Sequence, residues 1–483
     1  MSVAGLFYND PNSLEATRKF KIDISPAQLA AGSAALAAFK INSRMPLSRL
    51  FQDVVHVTNS SGSDSLFLRA RLTKDPRVCV FLKIQCLPPD LAVENSGQVE
   101  AGTYLQQVDV QLRDRITPHL LAALGYLVYD DLATGLAALP FVPAGADIAD
   151  PTVNPFVRAD DEMYDMEDGN TRKTRDFRAD ALKKWRKLLA YGKPKNGAGT
   201  VLVLEEDWHS VTLHHICRQP SLVQVPVLAS VLWQLVYTLA AFSEADPPLR
   251  HNDLHLGNVL VDKVANEQLT YVLGRNEAYR VPTNGCMVRV FDFDFAYRGR
   301  KNTNTEGEIC HDYGSCNENN SLFDAFFALR LVREKLPSAS QQAFPAIVNT
   351  LITSKNTGFP KIIKMRKPYD TIQRGDHRMC HVVVSASHPN YTECDGEIRP
   401  DELGRLGLPS PLEMLRTVGR DKGYFVPMID VDLGAPTTFF VSQKVRRSLL
   451  GKEATPSKAK KPYFDRETKQ SAPGVSAAMR PSN

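Results

Sequence analysis

Two short segments carry the side chains that phosphoryl-transfer chemistry requires. In residues 251–258 (His-Asn-Asp-Leu-His-Leu-Gly-Asn), the carboxylate of Asp253 and the amide of Asn258 are five residues apart. Residues 291–294 (Phe-Asp-Phe-Asp) follow an apolar run and add the carboxylate of Asp292. Phosphoryl transfer needs a base that orients the acceptor, oxygen ligands for magnesium and a cation on the phosphates. We therefore predict that Asp253 is the base and that Asn258 and Asp292 bind Mg²⁺.

An upstream lysine could supply the cation. Lys83 lies in the apolar run 78–84, where an unpaired ammonium group would be costly. It therefore needs a carboxylate partner; we expect Glu100, and Glu94 is the alternative. The purely structural alternative is a lysine that lies on an edge strand and faces solvent.

The elements that must position these residues include a small antiparallel β sheet. Its β-branched and aromatic residues form three runs that are separated by polar turns. The runs are residues 54–57, 66–72 and 78–84. A later hairpin is predicted to pair residues 271–273 with residues 287–291, around a turn over 274–285.

Three helices are also predicted. Residues 93–112 have apolar side chains at mostly helical spacing, and residues 322–336 form a second amphipathic stretch. Residues 221–243 predict a long apolar helix that leads the chain to His251. Its apolar run, 227–242, is interrupted by polar residues and is shorter than the roughly 20 residues that a bilayer requires. We therefore expect a buried core helix and no membrane partner.

These residues resemble the protein-kinase-like superfamily. The pattern His251-x-Asp253-x-x-x-x-Asn258 is similar to its catalytic loop, and Asp292-Phe293 is similar to the start of its Asp-Phe-Gly motif. The resemblance implies an α+β, two-lobed protein-kinase-like fold, with a small antiparallel β lobe that has one helix and a larger, mainly helical lobe. It implies ATP and Mg²⁺ as cofactors, and Ser/Thr hydroxyls of a protein substrate as acceptors.

The same resemblance gives roles to further residues. Lys83 looks like the lysine that binds the nucleotide phosphates, and Glu100 looks like the glutamate that pairs with it. Glu205, at the end of an apolar strand, looks like the start of the hinge that binds adenine. His251 and Asp324 are implied to be structural, because the histidine packs the catalytic loop and the aspartate steadies it from below.

Several positions depart from the superfamily pattern. Asp294 replaces the glycine of Asp-Phe-Gly, and it either adds a ligand or only fills the glycine's place. The glycine-rich loop is reduced to Gly62, which could lie over the phosphates or form an ordinary turn. His255 replaces a lysine, and it could donate a hydrogen bond to the transferred phosphate or pack the loop. The sequence also lacks an Ala-Pro-Glu motif after Asp292.

These departures leave two other functions open. His255 and the missing Ala-Pro-Glu are typical of small-molecule phosphotransferases of the aminoglycoside and choline kinase type. Asp294 and the glycine-poor loop are typical of a catalytically weak or dead pseudokinase that acts as a scaffold. Within the superfamily, Asn252, residues 117–120 and the long hairpin before Asp292 resemble the divergent serine/threonine protein kinases of large DNA viruses. That narrower resemblance favours Ser/Thr transfer to proteins.

The matching segments lie in the middle of the 483-residue chain. Residues 143–200 are predicted to be an insert that contains an amphipathic basic helix at 179–190. This helix is either docked on the small lobe or binds a protein or nucleic acid. The predicted parts are an N-terminal extension (1–45), a kinase-like domain (46–430) with a small lobe (46–205), an insert (143–200) and a large lobe (206–430), and a basic tail (431–483).

Positive charge is concentrated in the last part of the sequence. The formal net charge is +4, while residues 441–483 hold ten Lys or Arg against three Asp or Glu. This composition predicts a disordered tail that could contact nucleic acid or protein. Eight cysteines and the lack of a secretory leader predict reduced thiols inside a host cell, in the cytoplasm, the nucleus or a virion.

Overall fold

The computed structural model describes part of the chain in detail. Within that part, helices and mainly antiparallel sheets form an α+β structure, which confirms the predicted fold class. The predicted N-terminal extension, Gly62 and Glu94 lie outside the described residues. The described residues are 46–57, 65–74, 76, 78–86, 96–129, 131–144, 176–192, 197–205, 210–218, 225–298, 301–302, 323–335, 361–366, 379–384, 409–421, 425–428 and 430–451.

A five-stranded antiparallel sheet contains Lys83. Its strands are β1 Phe51–His56, β2 Leu66–Leu72, β3 Cys79–Cys86, β4 Ala123–Tyr129 and β5 Gly199–Glu205. Its strands have the spatial order β1-β2-β3-β5-β4, so β3 is flanked on both sides and the predicted runs are confirmed. Lys83 pairs with Phe67 on one side and with Leu202 on the other, and it is 3% exposed. The alternative of an edge-strand lysine in solvent is therefore wrong.

The helix that carries Glu100 packs against this sheet. It begins as α1 Ser96–Thr103, passes through a π-helical turn at Tyr104–Val108 and continues as α2 Asp109–Arg113. This confirms the helix predicted from residue 93 over its described part. A single π-helical turn inserts one extra residue into a helix and is frequent at functional sites.

The amphipathic helix of the insert is docked on the outer side of the same sheet. It is α4 Phe177–Gly192, which contacts β1, β2 and β3 with Phe177, Trp185 and Leu188 buried. Its exposed face carries basic side chains. The docked position predicted for this helix is therefore confirmed, while residues 145–175 of the insert lie outside the described part. The exposed basic side chains are Arg178, Lys183, Arg186 and Lys187.

Gly199 permits the close approach of this helix. A Cβ atom at Gly199 would lie 2.9 Å from the Trp185 ring, 2.8 Å from the backbone oxygen of Gln85 and 2.6 Å from Leu132 of α3 Leu132–Ala137. Only glycine leaves room for the helix, the strand and α3 to meet at this point.

A second hydrophobic core surrounds the helix α6 Val225–Ser243, and the part of the molecule around this core is called the body. Its side chains from Val227 to Phe242 are buried without interruption. By length and composition this helix could cross a membrane, but 89% of its apolar window is buried inside the molecule. The predicted core helix is therefore confirmed.

The hairpin predicted between residues 271–273 and 287–291 is wrong. The strand β9 Gln268–Gly274 instead pairs with β10 Glu277–Pro282, and β11 Cys286–Val290 pairs with β8 Val259–Lys263. The apolar runs alone could not reveal this pairing, because the partner of β11 precedes the hairpin in sequence. The observed register places Val290 opposite Val259, so the loop before β8 and the segment after β11 lie side by side.

The last described segment, residues 430–451, folds back onto the body and is called the C-terminal strap. Its strand β17 Thr438–Phe440 pairs in parallel with β9, and Ser442 caps the helix α9 Gln443–Leu450. Arg115 donates hydrogen bonds to backbone carbonyls of residues 433–435. The disorder predicted from residue 441 is therefore wrong up to residue 450, because the strap pairs its backbone with a sheet edge; residues 452–483 lie outside the described part.

Shorter elements complete the described structure. The helix α7 Phe323–Lys335 confirms the helix predicted at residues 322–336 over its described part. The remaining helices are α5 Leu213–Arg218 and α8 Pro411–Asp421. The remaining strands are β6 Val211–Thr212, β7 Leu249–Arg250, β12 Tyr297–Arg298, β13 Lys301–Asn302, β14 Lys361–Arg366, β15 Met379–Val384 and β16 Val426–Pro427.

Candidate active site

Lys83 lies at the centre of a buried ionic cluster. Its Nζ atom is 2.8 Å from Glu100 Oε2, 2.5 Å from Asp292 Oδ1 and 2.6 Å from Asp294 Oδ2. Lys83 is 3% exposed and Glu100 is fully buried. The predicted pairing of Lys83 with Glu100 is therefore confirmed, and two aspartates share the same ammonium group.

Backbone hydrogen bonds tie the segment after β11 to the helix that carries Glu100. The amide of Phe293 donates to Glu100 Oε1 at 3.1 Å, and the amide of Asp292 donates to the hydroxyl of Tyr104 at 3.3 Å. Asp292 has a φ of 70°, in the left-handed region that non-glycine residues seldom adopt. Such backbone conformations persist where the surroundings enforce them, and they are concentrated at functional sites.

The charges in the cluster shift the proton affinities of its members. Burial lowers the pKa of Lys83, but the charges of Asp292, Asp294 and Glu100 outweigh burial and hold this pKa well above its usual value. Burial and the charge of Asp294 raise the pKa of Glu100 well above its usual range, against the opposing effect of Lys83. Burial alone would raise the pKa of Asp294, but its interaction with Lys83 lowers it. Lys83 is therefore the protonated centre of the cluster.

Asp324 fixes the backbone of the loop that carries Asp253. Its carboxylate accepts hydrogen bonds from the amides of His251 at 2.7 Å and Asn252 at 2.8 Å. The His251 ring nitrogen Nε2 lies 2.8 Å from the carbonyl oxygen of Phe291, which can only accept. Nε2 therefore carries the proton, and Nδ1 accepts from the amide of Asp253 at 3.3 Å. The loop is thus held from below by Asp324 and from the side by the segment before Asp292.

Asn258 connects the two ends of the same loop. Its Nδ2 donates to the carbonyl oxygen of Asp253 at 2.9 Å and lies 3.5 Å from Asp253 Oδ2. The carbonyl oxygen of Asn258 accepts from the amide of Phe291 at 3.2 Å, which joins the loop to the segment that leads into Asp292. These contacts use the amide nitrogen of the side chain, so its amide oxygen is the atom that could bind a cation.

Asp253 and His255 lie at the more exposed side of the loop. Burial raises the pKa of Asp253 to about 6, although His251 acts in the opposite direction. Burial lowers the pKa of His255, which favours its neutral ring. His255 Nε2 is 3.8 Å from Asp253 Oδ2, and its Nδ1 accepts from the amide of Gly257 at 3.1 Å. One histidine therefore caps the turn that leads to Asn258 and faces the carboxylate.

The donor atoms of the site fit a hard divalent cation. Carboxylate oxygens of Glu100, Asp292 and Asp294 lie within 4.8 Å of one another. Asp292 is the residue after Phe291, whose amide donates to the carbonyl oxygen of Asn258. Mg²⁺ prefers oxygen ligands and is usually bound by one or two protein groups together with phosphate oxygens. The side chains of Asp292 and Asn258 are of the kind that such a site requires.

Two further predicted site residues, Gly62 and Glu205, are not shown to meet this cluster by the described contacts. Gly62 lies outside the described residues, so its position over the phosphates stays a prediction. Glu205 ends β5, and its carboxylate is 4.0 Å from Arg289 on β11. The amide of Glu205 donates to the carbonyl oxygen of Ala122 at 2.8 Å. Its role in binding adenine also stays a prediction.

Two contacts in the site were missed by the sequence reasoning. Gln85 Nε2 lies 3.3 and 3.4 Å from the two carboxylate oxygens of Asp294, and Tyr104 contacts the backbone of Asp292. A signal existed for both residues. Gln85 is two residues from Lys83 on one strand face, and Tyr104 is four residues from Glu100 on one helix.

The chain is similar to known serine/threonine protein kinases. It is 23% identical over 250 residues to a candidate serine/threonine-protein kinase of Acanthamoeba polyphaga mimivirus, covering 49% of this chain and 46% of that protein. It is 32% and 33% identical over 92 residues to serine/threonine-protein kinase haspin of Bos taurus and Mus musculus. Those matches cover 19% of this chain and 11% and 12% of the haspins.

These similarities support the coarse statement that the chain is kinase-like. The chain spans less than half the length of the curated relatives it matches. No family model matches the chain.

Proposed function

We propose that this protein transfers the γ-phosphoryl group of Mg-ATP to Ser/Thr hydroxyls of proteins. The observation that carries the proposal is the meeting of Lys83, Glu100 and Asp292 in one buried cluster, next to the loop that holds Asp253 and Asn258. In the proposed two-lobed arrangement, the nucleotide lies between the five-stranded sheet and the body around α6. The similarity to serine/threonine protein kinases supports the acceptor class.

We assign the binding of the nucleotide phosphates to the buried cluster. Lys83, oriented by Glu100, would bind the phosphates, and Asp292 with Asn258 would hold Mg²⁺. When bound, Mg²⁺ neutralises charge on the phosphate oxygens and orients them for displacement. Gly62 would cover the phosphates and Glu205 would begin the segment that binds adenine.

The acceptor side is given to Asp253. At neutral pH most of a carboxyl group with a pKa of about 6 is ionised and can accept a proton. The acceptor oxygen would bond to the γ-phosphorus while its proton moves to Asp253, and the bond from that phosphorus to the bridging oxygen would break to leave ADP. His255, with a neutral ring at the exposed side, would donate a hydrogen bond to the transferred phosphoryl group.

One observation favours a second candidate, a pseudokinase scaffold. Asp294 and Asp292 both occupy the ammonium group of Lys83, which would otherwise bind phosphate. In a scaffold this ionic cluster would serve only to hold the segment after β11 against the sheet. The two candidates differ in whether nucleotide binds and whether phosphate is transferred.

The test is phosphate transfer from γ-labelled ATP with Mg²⁺, using the full chain. We expect labelling of the protein itself or of a generic basic protein, and a drop of about 10²–10⁴-fold in Asp253→Ala. Asp430→Ala, at an exposed aspartate of the C-terminal strap, is the matched control and should keep full transfer. The nucleotide-induced thermal shift should survive in Asp253→Ala.

Each other result has a distinct meaning. Full transfer by Asp253→Ala would rule out the proposed mechanism. A thermal shift without transfer to any protein would favour a small-molecule acceptor, as His255 suggested from sequence. No transfer and no thermal shift in the natural chain would favour the scaffold.

A further inference from the structure

Asp294 is held from two sides by neighbouring residues of one strand. Lys83 and Gln85 are two residues apart on β3, so their side chains project from the same face of the sheet. Lys83 Nζ is 2.6 Å from Asp294 Oδ2, and Gln85 Nε2 is 3.3 Å from the same oxygen and 3.4 Å from Oδ1. Lys83 and Gln85 are 3% and 6% exposed, so solvent competes little for these contacts.

The contacts of Asp294 go beyond filling the place of a glycine. Asp294 does not have a positive φ, whereas the neighbouring Asp292 does, so the backbone at 294 needs no glycine. A residue that only filled space would not require an ion pair and an amide on its carboxylate. The side chain at this position is therefore built into the cluster.

Lys83 holds all three carboxylates, although not in the same way. Its ammonium group donates hydrogen bonds to Asp292 at 2.5 Å and to Asp294 at 2.6 Å, and it forms an ion pair with Glu100 at 2.8 Å. Carboxylates also outnumber the ammonium three to one. A nucleotide without a bound cation would bring further negative charge to an ammonium group that three carboxylates already surround.

We propose that Asp294, held by Gln85, makes nucleotide binding depend on a divalent cation. Asp294 competes with phosphate oxygens for Lys83, so only a nucleotide whose charge is offset by a cation can displace it. A chain with glycine at this position would leave one donor of the lysine open to metal-free nucleotide. This inference rests on the proposed function, because it assumes that Lys83 binds nucleotide.

The test is calorimetric titration of the full chain with ATP, once with Mg²⁺ and once with EDTA. The quantity of interest is the ratio of the two dissociation constants, metal-free over Mg²⁺-bound. We expect Asp294→Asn to reduce this ratio by about tenfold or more, through tighter binding of metal-free ATP, because a charge-assisted contact to Lys83 is lost. The Kd for Mg-ATP should change less than about threefold.

Two further variants make the test independent of any single substitution. Gln85→Met should lower the ratio in the same direction by about threefold, because Asp294 is then held only by Lys83. Asp430→Asn, the exposed control, should leave it unchanged. A circular dichroism spectrum and an unfolding midpoint close to those of the natural chain show that each variant is folded.

Every other outcome overturns the inference. An unchanged ratio in folded Asp294→Asn, with Mg-ATP binding in the natural chain, overturns the inference and leaves the proposed function intact. A loss of Mg-ATP affinity above tenfold in that variant would make Asp294 a cation ligand and also overturn it. No binding of either form by the natural chain overturns both the inference and the proposed nucleotide site.

Discussion

The buried polar groups around Lys83 are ionic, whereas those around His119 and Gln234 in the core of the body are neutral. In the neutral cluster, His119 Nδ1 lies 3.2 Å from the carbonyl oxygen of Val288, so it must donate, and Nε2 accepts from the Tyr271 hydroxyl at 2.8 Å. Its members are fully buried, as are those at the centre of the ionic cluster.

Gln234 completes the neutral cluster by bonding two backbone groups of β11. Its Nε2 donates to the carbonyl oxygen of Cys286 at 3.1 Å and to Ser230 Oγ at 3.0 Å. Its Oε1 accepts from the amide of Val288 at 2.8 Å. The helix α6 and the strand that leads to Asp292 are thereby fixed to each other by donors and acceptors in matched numbers.

The difference between the clusters lies in how many partners each group has. In the neutral cluster a contact can be exchanged only at the cost of a buried polar group without a partner. In the ionic cluster three carboxylates share one ammonium, so a ligand's charges can replace some of them without leaving Lys83 unpaired. The neutral cluster therefore holds α6 and β11 together, whereas the ionic cluster provides contacts that can change when a ligand binds.

The largest expected effect comes from removing the single cation of the ionic cluster. Lys83→Met leaves three carboxylates close together and largely buried, and we expect it to lower the free energy of unfolding by about 3–5 kcal/mol. Urea denaturation at neutral pH measures the change. Under the proposed function, phosphate transfer should also be lost, because Lys83 is the cation that we assign to the phosphates.

A double variant shows whether repulsion is the cause. In Lys83→Met/Glu100→Gln, one carboxylate is neutralised, so part of the lost stability should return. If the double variant is less stable than Lys83→Met alone, the loss stems from packing, and the ionic description of this cluster is wrong.

The next effect concerns the matched partners of Gln234. Gln234→Leu leaves the buried amide of Val288 and the carbonyl oxygen of Cys286 without this partner, and we expect a loss of about 2–4 kcal/mol. Urea denaturation again gives the value. The control on the same helix is Ser243→Ala, which should stay within about 0.5 kcal/mol of the natural chain. Equal losses of stability in the two variants would contradict the role of Gln234 in holding α6 and β11 together.

Much of the candidate active site could be predicted from the sequence, because its parts lie in short motifs. The burial of Lys83 in an apolar strand required a carboxylate, and Glu100 is the partner that the structure places there. Asp253 and Asn258 share one loop, so their proximity follows from five residues of chain. The adjacency of this loop to Asp292 depended on the pairing of β8 with β11.

The parts that sequence could not give depend on contacts between distant segments. The pairing of β9 with β10 was hidden because residues 277–282 include charged residues and a proline, which resemble a turn. The C-terminal strap was hidden because Thr438–Phe440 is short and gains its stability from the edge of β9. Gln85 had the right spacing from Lys83, but nothing local showed that Asp294 would lie opposite it.

The neutral cluster should also make the free energy of unfolding depend on pH, because it contains a buried histidine. Burial lowers the pKa of His119 to about 3, and the nearby charge of Arg289 acts in the same direction. Between pH about 6.5 and 3 the unfolded chain binds a proton that the folded chain does not, so the free energy of unfolding falls as pH falls. We expect His119 to contribute up to about 1.4 kcal/mol per pH unit in this window.

The matched variant is His119→Gln, which keeps a donor and an acceptor but does not titrate. Urea denaturation at several pH values should show a steeper decline toward acid for the natural chain than for the variant. Above pH about 7 the difference between the two should stop changing. Parallel curves through the acid range would show that the histidine is not kept neutral by burial.

The smallest effect is expected from a single hydroxyl of the neutral cluster. Thr238 Oγ1 donates to the carbonyl oxygen of Gln234 at 2.9 Å and lies 3.3 Å from Thr117 Oγ1. Thr238→Val keeps the shape and removes these bonds, so the loss should be about 1 kcal/mol or less. A midpoint shift in urea that corresponds to more than about 2 kcal/mol would mean that the cluster acts as one cooperative unit.

The parallel pairing of β17 with β9 has a consequence for folding during translation. Translation proceeds at about 5–20 residues per second, so β9 is made roughly 10–30 seconds before the strand that covers its edge. During that interval the apolar side chain of Val272 has yet to meet Phe440. An uncovered strand edge is prone to intermolecular pairing. We therefore expect the nascent chain to engage chaperones until the residues of the strap have left the ribosome.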